Sequence, residues 1–214
     1  MTSLTKIIHG EKHLSVAASY DNIGSVYENQ GEYDKALEYY LKSLDIRTAV
    51  CGESHLDVAI SFHNVGAVSR KQGKYKKAIE YHLKSVEIRK MIHGENHPGV
   101  ANSYNSIGFV YYDEREDNKA LEYLQKSLNI RKVVYGENHP DVAASYNNIG
   151  SIYENQKEYN KTLEYFTKSL DIKKVVYGEN HPSVSTSYNN IGSVYFKQRE
   201  STVRHSNTTS KLWR

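Results

Sequence analysis

The sequence has one cysteine, Cys51, three prolines and no long apolar run, and its mean hydropathy is −0.70. One thiol cannot form an internal disulfide, which fits a reducing, cytoplasmic setting. Without a long apolar run no membrane-spanning helix is expected, and the N-terminus lacks the apolar stretch and cleavage site of a secretory signal. An excess of charge is also missing from the body of the chain. Residues 201–214 hold Arg204, Lys211 and Arg214 and no acid, and the other 25 of the 28 basic side chains balance the 25 acidic ones. The pI near 8.7 is therefore a property of the tail, and the body offers no field for nucleic acid. No Gly-rich phosphate loop, nucleophile elbow or His-Glu zinc helix is found, and acidic pairs such as Glu32 and Asp34 have no evident partner. His93 and His97 have a ligand-like spacing but no cysteine or third histidine beside them, so no metal site is expected. Neither a cofactor nor a catalytic constellation is expected.

Tyrosine is abundant instead, at 19 residues, and it recurs. Tyr-Asn-Asn-Ile-Gly-Ser-Ile-Tyr at Tyr146–Tyr153 returns 42 residues later as Tyr-Asn-Asn-Ile-Gly-Ser-Val-Tyr at Tyr188–Tyr195. The same frame holds Tyr104, Phe62 and Tyr20, and each aromatic is followed four residues on by glycine, from Gly24 to Gly192. Self-similarity at a fixed period of this length is the signature of a stacked solenoid that presents a long surface to a partner.

Each repeat reads as two helices. After His139, a candidate N-cap, Pro140 occupies a first helical position where no hydrogen bond is lost. Val142, Tyr146, Ile149, Gly150 and Tyr153 then share one helical face. The polar stretch Glu154–Glu158 ends this helix. A second is predicted from Tyr159 through Leu163, Phe166, Leu170 and Val175, with Gly178 as a left-handed stop. His13, His55, His97, His139 and His181 recur at the entries to first helices and are read as caps or loop packing. Cys51 is expected to pack at the end of a second helix.

These positions resemble the tetratricopeptide repeat: an aromatic, an aliphatic and glycine three and four residues on, tyrosine, then small, aromatic and small residues. They are Tyr20, Ile23, Gly24, Tyr27, Ala36, Tyr40 and Ser43 in the first repeat, and Tyr146, Ile149, Gly150, Tyr153, Thr162, Phe166 and Ser169 in the fourth. The middle repeats match through Phe62, Val65, Gly66, Ala78, His82 and Ser85, and through Tyr104, Ile107, Gly108, Tyr111, Ala120, Leu124 and Ser127. Glycine on the first helix would let the second approach closely, with the aromatic filling the gap beside it. The 42-residue length, with Gly-Glu-Asn-His-Pro between repeats, is similar to the kinesin light chain subtype. Ser69, Ser106 and Asp117 depart from the pattern, and no heptad coiled coil is present, so a motor subunit is not expected.

The resemblance implies an all-α, right-handed superhelical solenoid of stacked antiparallel helix pairs. Repeats are expected at 17–50, 59–92, 101–134 and 143–176, with the first helix of an incomplete fifth at 185–200. Residues 1–10 would be the end of a preceding helix. It also implies a concave groove lined by first helices, holding a protein or peptide. The residues facing such a guest would be Asp21, Asn22, His63, Asn64, Asn105, Asn147, Asn148, Asn189 and Asn190. Asparagine amides donate and accept, as peptide backbone requires. Arg70, Phe109 and Tyr112 would select among peptides. A carboxylate clamp is not expected, since its lysine positions hold Asp21, His63 and three asparagines. A regulatory piece of a larger signalling protein and a self-assembling module are the alternative readings.

Past Glu200 the pattern fails. One permitted codon choice for residues 201–214, shifted by two bases, reads Tyr-Ser-Lys-Ala-Leu-Glu-Tyr-Tyr, the missing second helix in register. The basic tail is therefore expected to be an out-of-frame reading of a further repeat. Tyr188, Ile191 and Tyr195 would then face water, and weak dimerisation through this uncapped end is expected.

Overall fold

Histidine sets the helix starts. His13, His55, His97, His139 and His181 each accept, at ring Nδ1, the backbone N–H two residues on (Ser15, Asp57, Gly99, Asp141 and Ser183) at 3.1–3.2 Å. Each bond satisfies a donor that a helix start leaves unpaired. The sequence reading of these residues as caps therefore holds.

The computed structural model describes residues 13–212, and side chains as far as residue 202. Among the described residues every element is helical and no strand occurs. The elements are α1 (Leu14–Asn29), α2 (Tyr33–Cys51), α3 (Leu56–Lys71), α4 (Tyr75–His93), α5 (Pro98–Asp113), α6 (Asp117–Tyr135), α7 (Pro140–Asn155), α8 (Tyr159–Tyr177) and α9 (Pro182–Leu212). None is long and apolar enough to cross a membrane. The expected piece of a preceding helix at 1–10 lies outside the described residues.

Two compact units divide the chain, Met1–Tyr123 and Leu124–Arg214. In the first, α1 packs on α2 and α3 on α4, and α2 and α4 each pack on the following first helix. Ala36, Tyr40, Leu44, Val58, Val65 and Val68 form its main core cluster. In the second, α7 packs on α8 and α8 on α9. Ile149, Ile152, Phe166, Leu170, Ile172, Val184 and Val194 are buried there. The predicted apolar stripe of α8 needs one correction: Val175 is 68% exposed and Ile172 fills the buried place. The helix has rotated past the core by its last turn, so position 172 faces inward and 175 outward.

Close approach within a pair depends on glycine. A Cβ built on Gly24 would lie 3.0 Å from the Tyr40 ring, on Gly66 2.9 Å from the His82 ring and on Gly150 2.6 Å from the Phe166 ring. Beside this contact, second-helix tyrosines pack on first-helix ones: Tyr39 stacks on Tyr27 at 5.6 Å and Tyr123 on Tyr111 at 5.5 Å, and Tyr165 lies tilted against Tyr153 at 5.4 Å. Lys42 and Lys168 lie over the neighbouring rings as cation–π partners.

First helices α1, α3, α5 and α7 are all 16 residues long and stop at the same turn. The residue after the C-cap has positive φ: Gly31 and Gly73 in two repeats, but Arg115 (68°) and Lys157 (60°) in the others. The stop at Gly178 differs from expectation, with φ 83° and ψ 159° rather than a left-handed helical pair. This extended, positive-φ conformation is open essentially to glycine alone.

The last helix breaks the rule. α9 is 31 residues long and runs on past Gln198, in the register where Gln30, Gln72 and Gln156 cap the earlier first helices. Ser201 stands where Tyr33, Tyr75 and Tyr159 open second helices, so no apolar second helix is there to fold back, and the backbone continues its hydrogen bonds as one helix. Tyr188 and Tyr195 face water as expected, at 51% and 59% exposure, while Ile191 is half-buried. Nothing lies within 4 Å of a Cβ built on Gly192.

This contrast makes two glycines in one register behave oppositely. Gly150→Ala should cost about 1–3 kcal/mol, because the Phe166 ring must shift. Gly192→Ala should be neutral or stabilise by up to about 1 kcal/mol, through helix propensity alone. Urea denaturation of the two variants measures both, and equal effects would refute the contact.

Candidate functional site on the first-helix face

Side chains of successive first helices reach each other one repeat and one residue apart. Lys71 on α3 pairs with Glu28 on α1 at 3.0 Å. Arg70 on α3 donates through Nε to Asp113 on α5 at 2.6 Å, and its guanidinium lies 5.3 Å over the Phe109 ring. In the second unit Lys197 on α9 donates to Glu154 on α7 at 2.8 Å. First helices therefore share a face within each unit, as a lining of first helices requires. The charges named here are paired within that face.

The expected ligand-facing residues separate into two groups. Asn22 and Asn189 are exposed, and Asn64, Arg70, Asn105, Phe109, Tyr112, Asn147, Asn148 and Asn190 are half-buried. The structure brings Arg70 and Phe109 together and adds Asp113, which the sequence reading did not single out. Asp21 and His63, by contrast, are engaged with neighbouring helices. The Asp21 carboxylate forms a short ion pair with Arg47. Burial pushes this carboxyl above its ordinary range, while Ser43 and Arg47 pull it down.

Arg47 belongs to a series that the sequence reading passed over. It also donates to the Ser61 hydroxyl at 3.1 Å and to the Asp57 carbonyl at 3.4 Å, tying α2 to α3 as well as α1. One period on, Arg89 donates to Ser85 at 3.0 Å. Arg131 donates to Ser145 at 2.7 Å and to the Asp141 carbonyl at 3.3 Å, and Lys173 donates to Ser187 at 2.8 Å. Burial lowers the pKa of Arg89, Arg131 and Lys173. A cation at one frame position in four repeats, followed fourteen residues later by serine, was the available signal.

His63 sits in the second repeat's wall with its ring 5.0 Å from His82. His82 occupies the place of Tyr40 and Phe166 against the helix-pair glycine. Nδ1 of each ring is buried, with no hydrogen-bond partner among the described residues. Burial is the main cause that lowers both pKa values, to about 4 for His63 and about 3 for His82, and nearby Arg89 and Arg70 add to it. The pair is neutral in the fold and stands as an apolar filler with polar edges.

The sign of the pH effect follows. Between about pH 6.5 and pH 4 the unfolded chain binds protons at these two histidines that the folded chain refuses, so stability is full above that window and falls as pH drops through it. The loss should be on the order of 6 kcal/mol by pH 4, about half of it from each ring. His82→Phe, which installs the residue type of position 166, should roughly halve the slope. Urea midpoints at pH 7 and pH 4.5 for both proteins provide the test, and parallel curves would refute it.

With this geometry in hand, comparison with known proteins is informative. A tetratricopeptide repeat family model matches residues 4–49, 15–90, 57–132, 100–174 and 141–202. None of the curated proteins compared matches the sequence. Among solved structures, BtubC (BKLC) from P. vanneervenii is similar, with a TM-score of 0.75 at 18% identity, over 99% of this chain and 86% of that one. A Podosopora anserina protein described as a putative kinesin light chain with nearly identical TPR-like repeats is also similar, with a TM-score of 0.74 at 19% identity, over 94% of this chain and 99% of that one. A point variant of that protein gives a TM-score of 0.74 at 18% identity, with 94% of each chain covered. At these identities the likeness concerns the fold. The family model, whose matches together run from residue 4 to residue 202, shows that the chain belongs to the tetratricopeptide repeat family.

Proposed function

We propose that the chain is a non-catalytic scaffold, working in the cytoplasm, that holds an extended segment of a partner protein along its first-helix face. Tetratricopeptide repeats are in general protein-interaction scaffolds. The observation that carries the finer reading is the lateral ladder of first helices, with Lys71–Glu28 and Arg70–Asp113 in one unit and Lys197–Glu154 in the other. This supports a common face for Asn22, Asn64 and Asn105 in the first unit, and for Asn147, Asn148, Asn189 and Asn190 in the second. Amides spaced at the repeat period can pair with the backbone of an extended guest regardless of its sequence. Arg70, Phe109 and Tyr112 would add side-chain selectivity.

The pairing reading is checked with a library of 15-residue peptides and fluorescence anisotropy. A peptide selected on the native chain should bind Asn22→Ala/Asn64→Ala at least about tenfold more weakly, with the melting temperature nearly unchanged. Unaltered affinity would place the guest elsewhere.

A second reading, self-association through the C-terminal end, is favoured by one feature. Tyr188, Tyr195 and Phe196 on α9 are more than half exposed on a helix whose counterparts are covered by a second helix. Sedimentation velocity should show a monomer–dimer equilibrium that Tyr188→Ser/Tyr195→Ser shifts to monomer. A clean monomer at high concentration excludes it.

A further inference from the structure

We infer that the junction between α2 and α3 is a binding site for a thiolate-seeking divalent cation of the zinc class. At three of the four repeat junctions an aromatic ring ends the second helix and stacks on the capping histidine. These are His93 on His97 at 4.1 Å, Tyr135 on His139 at 4.1 Å and Tyr177 on His181 at 4.6 Å. At the fourth the ring is replaced by Cys51, four residues before His55. The third member, Asp57, has an equivalent acid at Asp141, where a tyrosine holds the cysteine's place; the other two equivalents are Gly99 and Ser183. Sulfur, imidazole nitrogen and carboxylate oxygen therefore converge at one junction, and among the described residues this is the one such cluster.

The geometry fits a tetrahedral ion. One donor atom from each of Cys51, His55 and Asp57 lies within 4.8 Å of the others, and His55 Nδ1 is 3.7 Å from Asp57 Oδ2. Bonds of about 2.3 Å to sulfur and about 2.0–2.2 Å to nitrogen and oxygen give ligand–ligand edges of roughly 3.3–3.7 Å. The histidine–aspartate edge is already formed, and the sulfur closes the triangle by a shift of about 1 Å. His55 is exposed, and Cys51 and Asp57 are half-buried, so an ion has access and the sulfur is partly shielded from water.

Donor chemistry narrows the ion. Thiolate with imidazole favours zinc, cobalt or a similar borderline cation over magnesium or calcium, which take oxygen. Three protein ligands leave a fourth position for water or for a side chain of a bound partner. Loading forms metal–sulfur, metal–nitrogen and metal–oxygen bonds, releases the thiol proton to solvent and changes no oxidation state. Nδ1 of His55 now caps α3 by accepting from Asp57 N–H at 3.2 Å. A ring that accepts there carries its proton on Nε2, so coordination at either nitrogen gives up the cap and couples metal loading to the start of α3.

The test is a titration of the purified chain with Co(II) alone, read at the near-ultraviolet thiolate-to-cobalt band, followed by Zn(II) displacement. One equivalent should saturate the band and release one proton. His55→Asn, which keeps a good helix cap, and Asp57→Asn should each weaken binding by ~10-fold or more. Cys51→Tyr, the residue type of positions 135 and 177, should abolish the band and, by equilibrium dialysis, the binding. A missing band at millimolar Co(II), a band indifferent to the His55 and Asp57 changes, or binding retained in Cys51→Tyr would each overturn the site.

Discussion

Everything in this molecule hangs on a side chain that is missing. Gly24, Gly66 and Gly150 let a second-helix ring lie against first-helix backbone, and the positions of the other side chains in the pair follow from that distance. With the helices this close, Tyr27 can stack on Tyr39 and Tyr153 can pack at a tilt against Tyr165, and small residues such as Ala36 and Thr162 are fully buried. A lone pair of such helices would still show water an apolar flank. The next first helix covers it: Val58, Val65 and Val68 of α3 complete the core begun by Tyr40 and Leu44. Repetition is thus a requirement of the packing, because each element is finished by its neighbour.

Polar groups carry the junctions between pairs. A histidine cap starts each first helix, and Arg47, Arg131 and Lys173 near the ends of second helices hold them to a serine on the next. These bonds are directional where the apolar core is not, so they define how one pair is placed on the next. The second repeat shows how far this tolerates change. His63 stands where other repeats have Asp21 or an asparagine, and His82 where they have Tyr40, Leu124 or Phe166, and the wall accepts both by keeping them neutral.

Much of this was legible in the sequence because the 42-residue period samples each structural position several times. The helix-pair glycine, the capping histidine and the turn near residue 156 could all be read from their recurrence. What escaped was of three kinds. Val175 and Ile172 lie three residues apart on one helix, and which of them faced the core depended on the crossing of α8 over its neighbours, which periodicity does not encode. Arg47 was passed over because a long cation ordinarily lies at the surface, whereas Asp21 and Ser61 enclose this one. The same pair explains why Asp21 looked like a groove residue: its helix position points that way, but a partner from the second helix claims it. The end of α9 was missed for a different reason. Sequence shows that a second helix is absent, but only the structure shows the first one running on.

The ladder across the first helices bears on how any guest must interact. Glu28, Arg70 and Asp113 in one unit, and Glu154 and Lys197 in the other, are already neutralised by their neighbours, so these side chains hold few loosely condensed counterions to give up. A charged guest would swap one ion-pair partner for another instead of liberating small ions from the surface. Its hold should then depend weakly on ionic strength and strongly on whether it presents charges at the spacing of the pairs it replaces. Recognition on such a surface is an exchange reaction, and its selectivity lies in what the surface would otherwise bond to itself.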